Sequence, residues 1–147
     1  MKKEEHRELR NLENTVERID RDVDAVIVEG YSDLHYLEKL GFDGKIFMSA
    51  ERTVEDLVED VSRGADRVAV LTDFDSTGKE ASSEISRELE KEIDVIHSAR
   101  EEFGQQLTST GRRCVEDVRP LFDDREQKFV DAMLDRLFMN QKSSRDD

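Results

Sequence analysis

Four short apolar segments that alternate with segments of helical periodicity constrain the fold of this chain more than any other feature. The apolar segments are rich in Val, Ile and Phe and lie at residues 24–30, 45–48, 67–72 and 93–96. Continuous apolar segments of this length are typical of strands buried on both faces of a sheet. Strands that alternate with helices of about ten residues form parallel sheets with right-handed crossovers. The pattern therefore predicts an α/β domain with about four mostly parallel strands and helices on both faces.

The segments between and around the strands carry apolar residues at helical spacing. In residues 2–19, one face carries Leu9, Leu12, Val16 and Ile19, which predicts an N-terminal amphipathic helix that packs on the domain or forms a dimer contact. Ser32 and Asp33 are candidate caps for a helix through Leu40 that stops at Gly41. Further helices are predicted at residues 54–64, 79–91, 99–107 and 123–140.

These elements predict one central domain with helical additions at each end. We assign residues 1–21 to the N-terminal helix, 22–98 to the α/β domain, 99–140 to a C-terminal helical extension and 141–147 to a flexible tail. The last predicted helix has an apolar stripe that we expect to pack on the domain, made of Phe129, Val130, Met133, Leu134, Leu137 and Phe138.

The chain is strongly acidic, which limits the partners that it can bind unaided. It has 37 Asp or Glu residues against 23 Lys or Arg, a net charge of −14, and its basic residues are 15 Arg and 8 Lys. This composition suits either a protein of concentrated salt or an ordinary acidic protein. Such a surface repels nucleic acid and anionic membranes at low salt. With no apolar run of the roughly 18–20 residues that a span needs, we expect no membrane association and a cytoplasmic location.

Carboxylates follow two of the predicted strands. Glu29 closes the first strand before Gly30, and Asp73 and Asp75 follow the third strand before Gly78. If the two strands are neighbours, the three carboxylates converge at the edge of the sheet where ligands bind. A hard divalent cation would offset their repulsion, so we predict one or two Mg²⁺ ions, with Mn²⁺ as a substitute. Alternatively, Asp75 or Ser76 only caps the next helix and Glu29 faces solvent.

A second interpretation of the loop after the third strand is a phosphatase nucleophile. Residues 73–77, Asp-Phe-Asp-Ser-Thr, are similar to the nucleophile motif of haloacid-dehalogenase-like phosphatases, with Asp73 as the nucleophile. In that family the motif ends the first strand of a longer domain. Here it ends the third predicted strand and only 72 residues follow Asp75, so this remains a minor alternative.

The two motifs together resemble the Toprim domain, the metal-binding module of topoisomerases, bacterial-type primases and some nucleases. The resemblance depends on residues 26–30 with Asp33, and on residues 71–78, and it covers about residues 22–98. By its size the chain is similar to small stand-alone archaeal Toprim proteins and, more distantly, to the small ribonuclease that matures ribosomal RNA. The resemblance implies a Rossmann-like sheet.

The resemblance also implies a role for each matching residue. Glu29 would bind metal and act as a general acid or base, Asp73 would bridge two ions, and Asp75 would hold one of them. Gly30 and Gly78 would be loop glycines. Many small relatives have a basic residue just after Glu-Gly, where this chain has Tyr31, which can stack on a base instead. The candidate residues for contact with substrate are Tyr31, Lys79, Arg112 and Arg113.

The expected function is metal-dependent hydrolysis of a phosphodiester in RNA or DNA, with the metal joining the acidic protein to its polyanionic substrate. The alternative is a non-catalytic Toprim module that binds metal and acts as a partner in a nucleic-acid complex.

Overall fold

The computed structural model describes residues 3–122 together with residues 133, 136 and 137. The elements of this part of the chain are, in order, α1 (Lys3–Asp22), β1 (Ala25–Val28), α2 (Tyr31–Lys39), β2 (Lys45–Met48), α3 (Val54–Gly64), β3 (Arg67–Val70), α4 (Ser76–Glu90), β4 (Asp94–Val95), α5 (His97–Thr108) and a 3₁₀ helix (Val115–Val118). No helix among these described residues is long and apolar enough to cross a membrane.

The four strands form one parallel sheet in the order β2-β1-β3-β4. In β1, Ile27 is paired with Phe47 of β2 on one side and with Val70 of β3 on the other. β1 is thus a central strand, as its continuous apolar sequence indicates. The predicted Rossmann-like α/β fold is confirmed.

Both faces of the sheet are covered by helices. Val26 and Val28 point into a core formed with α1, α2, α5 and the 3₁₀ helix, whereas Ala25 and Ile27 point into a second core formed with α3 and α4. The predicted apolar face of α1 belongs to the first core, and its four residues are at most 2% exposed. The N-terminal helix is therefore an integral layer of the domain.

Several predicted boundaries differ from the observed ones. α4 begins at Ser76 instead of residue 79, because the Asp75 side chain accepts a hydrogen bond from Gly78 N at 2.7 Å and caps the helix. α2 has Gly30 rather than Ser32 at its N-cap, and Asp33 accepts from Gly30 N at 3.2 Å. β4 has only two residues, Asp94 and Val95, where four were predicted.

The predicted C-terminal helix at 123–140 lies largely outside the described residues. Residues 133, 136 and 137 are helical, as predicted. Met133 and Leu137 are 49% and 55% exposed, and the packing of this stripe stays a prediction. The other four members of the apolar stripe, and the predicted tail, lie outside the described residues.

The carboxyl group of Asp24 makes the stability of the fold depend on pH. Its Oδ2 accepts hydrogen bonds from Asp66 N at 2.9 Å and Arg67 N at 3.1 Å, and these bonds lower the pKa of its carboxyl group. Asp24 thus stabilises the fold above the ordinary carboxyl pKa, and this contribution is lost as the pH falls through the lowered folded-state pKa. We expect Asp24→Ala to lower Tm at pH 7 and to have a smaller effect near pH 3.

Thermal unfolding followed by circular dichroism across this pH range would measure the difference. The matched control is Asp43→Ala, another exposed loop aspartate, which should change Tm little at either pH. A Tm deficit for Asp24→Ala that grows on acidification would contradict the assignment.

Candidate metal centre

The pairing of β1 with β3 places Glu29 and Asp73 side by side. Ile27 is paired with Val70, and Leu71 N donates to Ile27 O at 2.8 Å, so the ladder extends past the last paired residues. Glu29 follows two residues after Ile27, and Asp73 follows three residues after Val70. Neighbouring strands lie about 4.8 Å apart. The two acidic residues therefore leave the sheet at adjacent positions on its carboxyl edge.

Asp75 has a structural role in addition to any role in binding. Because one of its carboxylate oxygens caps α4 through Gly78 N, the side chain is fixed at the start of that helix. The cap predicted as the alternative is therefore present. A carboxylate has acceptor sites beyond one hydrogen bond, so capping and metal binding by Asp75 are compatible.

The two loop glycines differ in their surroundings. A Cβ on Gly78 would lie 2.3 Å from Asp73 Cβ and 2.5 Å from Asp73 O, so only glycine lets α4 start this close to Asp73. A Cβ on Gly30 would meet nothing within 4 Å, and the φ of −143° is extended backbone that any residue adopts. The tight turn expected behind Glu29 therefore does not require glycine, whereas the loop before α4 does.

Three acidic residues that the sequence analysis did not assign to the site lie beside it. Asp33 is only 7% exposed, and it accepts from Gly30 N with one oxygen and from Glu116 N at 2.9 Å with the other. Asp117 accepts from Arg113 N at 2.8 Å and from Cys114 N at 3.3 Å. Asp33 thus joins the start of α2 to the 3₁₀ helix and brings Glu116 and Asp117 to the carboxyl edge.

These carboxylates interact electrostatically. Burial, with the charges of Asp73 and Asp33, raises the pKa of Glu29. Burial also raises the pKa of Asp73, to which Asp75 and Asp33 add, while a hydrogen bond from Cys114 opposes the shift. Raised carboxyl pKa values show that negative charge is unfavourable here unless a cation is present.

Cys114 faces the same cluster as a neutral group. Burial and the nearby carboxylates of Asp117, Asp33 and Asp73 raise the pKa of its thiol far above the ordinary value. Sγ lies 3.9 Å from Glu116 Oε1. A protonated thiol is a weak hydrogen-bond donor and a poor nucleophile, so this cysteine supports the carboxylates and does not attack substrate.

Arg100 of α5 fixes the backbone at the end of β3. Its guanidinium donates to Val70 O at 2.9 Å, Thr72 O at 2.8 Å and Asp73 O at 2.9 Å. It also stacks 4.2 Å from the ring centroid of Phe74. β4 is paired with β3 only up to Val68, so the guanidinium supplies the donors that a longer strand would have supplied. Arg100 therefore supports the backbone that carries Asp73.

The four predicted substrate residues lie in different environments. Arg112 is part-buried, donates to Glu8 Oε1 at 2.6 Å and to Asp117 O at 2.6 Å, and so holds the 3₁₀ helix to α1. This structural role argues against a phosphate contact. Tyr31 is 73% exposed at the start of α2, and Lys79 and Arg113 are exposed near the Asp73 loop. Those three remain available to a ligand.

The donor set fits a hard cation in type and charge. Glu29, Asp73 and Asp75 offer oxygen atoms only, which is the preference of Mg²⁺. Within the described residues, no three His, Cys, Asp or Glu side chains already have their donor atoms placed to share one ion.

Comparison with known proteins agrees with this site. The model of the Toprim domain family matches residues 24–98, slightly more than half of the 147-residue chain. The chain therefore belongs to the Toprim domain family, whose members characteristically bind Mg²⁺.

A solved structure is similar to this chain in fold. A protein from Aquifex aeolicus is similar with a TM-score of 0.60 and 20% identity, over 74% of this chain and 98% of that one. At this identity the likeness shows the fold alone. No curated protein matches the sequence.

The contrast between the two glycines gives a matched pair of variants. We expect Gly78→Ala to destabilise the fold by about 1–3 kcal/mol or more, because the added methyl group overlaps Asp73. Gly30→Ala should cost less than about 1 kcal/mol, since only the modest N-cap preference for glycine over alanine is lost. Urea unfolding of both variants would measure the difference, and equal losses would contradict the close approach at Gly78.

The hydrogen bonds from Arg100 to the end of β3 can be tested in the same way. Arg100→Ala removes charged donors from three carbonyl groups at the end of β3, and we expect a loss of about 2–4 kcal/mol in the free energy of unfolding. Arg87→Ala, on the exposed face of α4, is the matched control and should stay within about 0.5 kcal/mol of the parent. Similar free energies for the two variants would show that the Arg100 bonds contribute little.

Proposed function

We propose that this protein hydrolyses phosphodiester bonds in RNA or DNA with the help of Mg²⁺. The observation that carries the proposal is the adjacent exit of Glu29 and Asp73 from neighbouring parallel strands of a Toprim domain. Asp75 follows two residues after Asp73 and is the N-cap of α4. All three belong to loops at the carboxyl edge, where α/β sheets bind ligands.

Each acidic residue has a distinct task in this proposal. Asp73 and Asp75 hold the cation, with Gly78 and Arg100 fixing the backbone between them. Bound Mg²⁺ supplies the Lewis acidity that stabilises phosphoryl charge and activates water. Glu29 is exposed and has a raised pKa, so its carboxyl group can exchange a proton with the attacking or leaving oxygen.

The acidity of the chain sets the conditions for substrate binding. A polyanion approaches the cluster only when its charge is offset, because carboxylates and phosphates repel each other. Nucleic-acid binding is therefore expected to require divalent metal and to fail in dilute, metal-free buffer.

The alternative is a Toprim module that binds metal without catalysis, as a partner in a nucleic-acid complex. The acidic composition favours it, as does Tyr31, which stands where many small relatives have a basic residue. The phosphatase interpretation of Asp73 has less support, because the family match assigns the Asp73 loop to a Toprim domain.

The test is a cleavage assay on structured RNA and on single-stranded DNA with Mg²⁺ or Mn²⁺, in both low and molar salt. We expect Asp73→Asn to abolish cleavage and Glu29→Gln to reduce it at least about 100-fold, the usual contribution of a general acid or base. Asp94→Asn removes an exposed carboxylate at the start of β4 and should leave the rate unchanged.

The outcomes separate the candidates. Metal binding without cleavage of any substrate would support the non-catalytic module. Hydrolysis of a simple aryl phosphate, with a base-labile aspartyl phosphate on Asp73, would support a phosphatase.

A further inference from the structure

A groove of about 780 Å³ lies between α4 and α5. It exists because the two helices cover opposite faces of the sheet while β4, the edge strand, has only two residues. Beyond Val68 the outer edge of β3 is therefore not covered by a strand, and Arg100 and the Thr72–Ser82 hydroxyl contact form the floor of the opening.

The helix faces that line the groove share one spacing. Their residues recur at i, i+3, i+4, i+7, i+8 and i+11, which places each set on one side of its helix. On α4 they are Lys79, Ser82, Ser83, Ser86, Arg87 and Glu90, and on α5 they are His97, Arg100, Glu101, Gly104, Gln105 and Thr108. Most of these residues carry hydroxyl, amide or charged groups at the ends of their side chains.

The charge of the groove is opposite to that of the whole chain. Lys79, Arg87 and Arg100 face Glu90 and Glu101, an excess of one positive charge in a protein of net charge −14. Glu90 is in addition in contact with the imidazole of His97. Within the described residues neither Lys79 nor Arg87 forms an ion pair, so two exposed cations are available to an anion.

One end of the groove lies next to the loop that carries Asp73 and Asp75. Phe74, which lies between Asp73 and Asp75, forms part of the lining, and Lys79 stands in the first turns of α4 just past Gly78. From Lys79 to Glu90 the helix rises about 16 Å at 1.5 Å per residue. A ligand bound at the carboxylates can thus continue along α4 for a few nucleotides.

We propose that this α4–α5 groove binds the single-stranded flank of the nucleic acid whose phosphodiester lies at the metal centre, an inference that rests on the proposed function. Phosphate oxygens match the ammonium of Lys79, the guanidinium of Arg87 and the exposed hydroxyl group of Ser83. A protein strand added to the edge of β3 is disfavoured, because Arg100 already donates to the carbonyls of Val70 and Thr72. Lys79 and Arg87 lie in one row along α4, which matches the single row of phosphates of one strand.

The experiment measures binding of a labelled single-stranded oligonucleotide by fluorescence anisotropy over a range of salt concentrations. Ca²⁺, another oxygen-binding cation, replaces Mg²⁺ so that the measurement does not depend on turnover. Each phosphate contact to a single strand contributes about 0.7 to the slope of log K against log salt. We expect Lys79→Ala and Arg87→Ala each to lower that slope by about 0.7, which is roughly fivefold in affinity at 0.1 M salt.

Two matched controls test the location. Arg63→Ala removes an exposed arginine of α3, outside the groove, and should leave the slope unchanged. Glu101→Gln removes a negative charge from the groove lining and should tighten binding, whereas Glu59→Gln on α3 should not. The proposal would be overturned if Lys79→Ala and Arg87→Ala both left binding unchanged, or if Arg63→Ala lost as much affinity as they do. Tighter binding of a duplex through the same residues would overturn it as well.

The cleavage assay keeps this result separate from the proposed function. Cleavage that depends on Asp73 but not on Lys79 or Arg87 would contradict the groove proposal and support the proposed hydrolase. Salt-dependent binding that requires Lys79 and Arg87, without cleavage, would keep the groove and support the non-catalytic module.

Discussion

The parallel pairing of β1 with β3 is the constraint on which the rest of the structure depends. It places two chain segments about 44 residues apart in sequence at neighbouring positions, and it makes Glu29 and Asp73 leave the sheet side by side. A slip of one residue in this register would exchange the side chains that β1 directs into the two differently packed cores, so packing on both faces fixes the register. The cores on the two faces thereby hold an arrangement of like charges that is unfavourable in itself.

Long-range hydrogen bonds from two side chains hold together the segments around the carboxylates. Arg100 reaches from α5 to the carbonyl groups of β3, and Asp33 reaches from α2 to the backbone of Glu116. The Arg112–Glu8 ion pair joins the same 3₁₀ segment to α1. Residues after the matched Toprim segment therefore contribute to the structure around the carboxylates. The C-terminal part of the described chain belongs to the domain physically, although the sequence analysis assigned it to an extension.

The acidic composition has two different consequences. At the carboxyl edge, partial burial and the neighbouring acidic residues raise the pKa values of Glu29 and Asp73 and create a place where a cation is favoured. In the α4–α5 groove, three cations face two glutamates, and the local sign is reversed. A net charge of −14 is thus compatible with a polyanionic ligand that meets a bound cation at one point and basic side chains beside it.

The sequence by itself determined the α/β class, the parallel sheet, the buried face of α1 and the candidate pair Glu29 and Asp73, because burial leaves a periodic pattern and strand ends follow from it. It also indicated Gly78, although the reason proved to be close contact with Asp73. Only the tertiary structure showed that Asp33 accepts a hydrogen bond from the backbone of Glu116 and that Arg112 is bonded to Glu8. It also showed that Arg100 donates to a β3 carbonyl group that a longer β4 would have paired. These contacts join residues that are 30 to more than 80 positions apart, and a polar side chain carries no local signal of its partner.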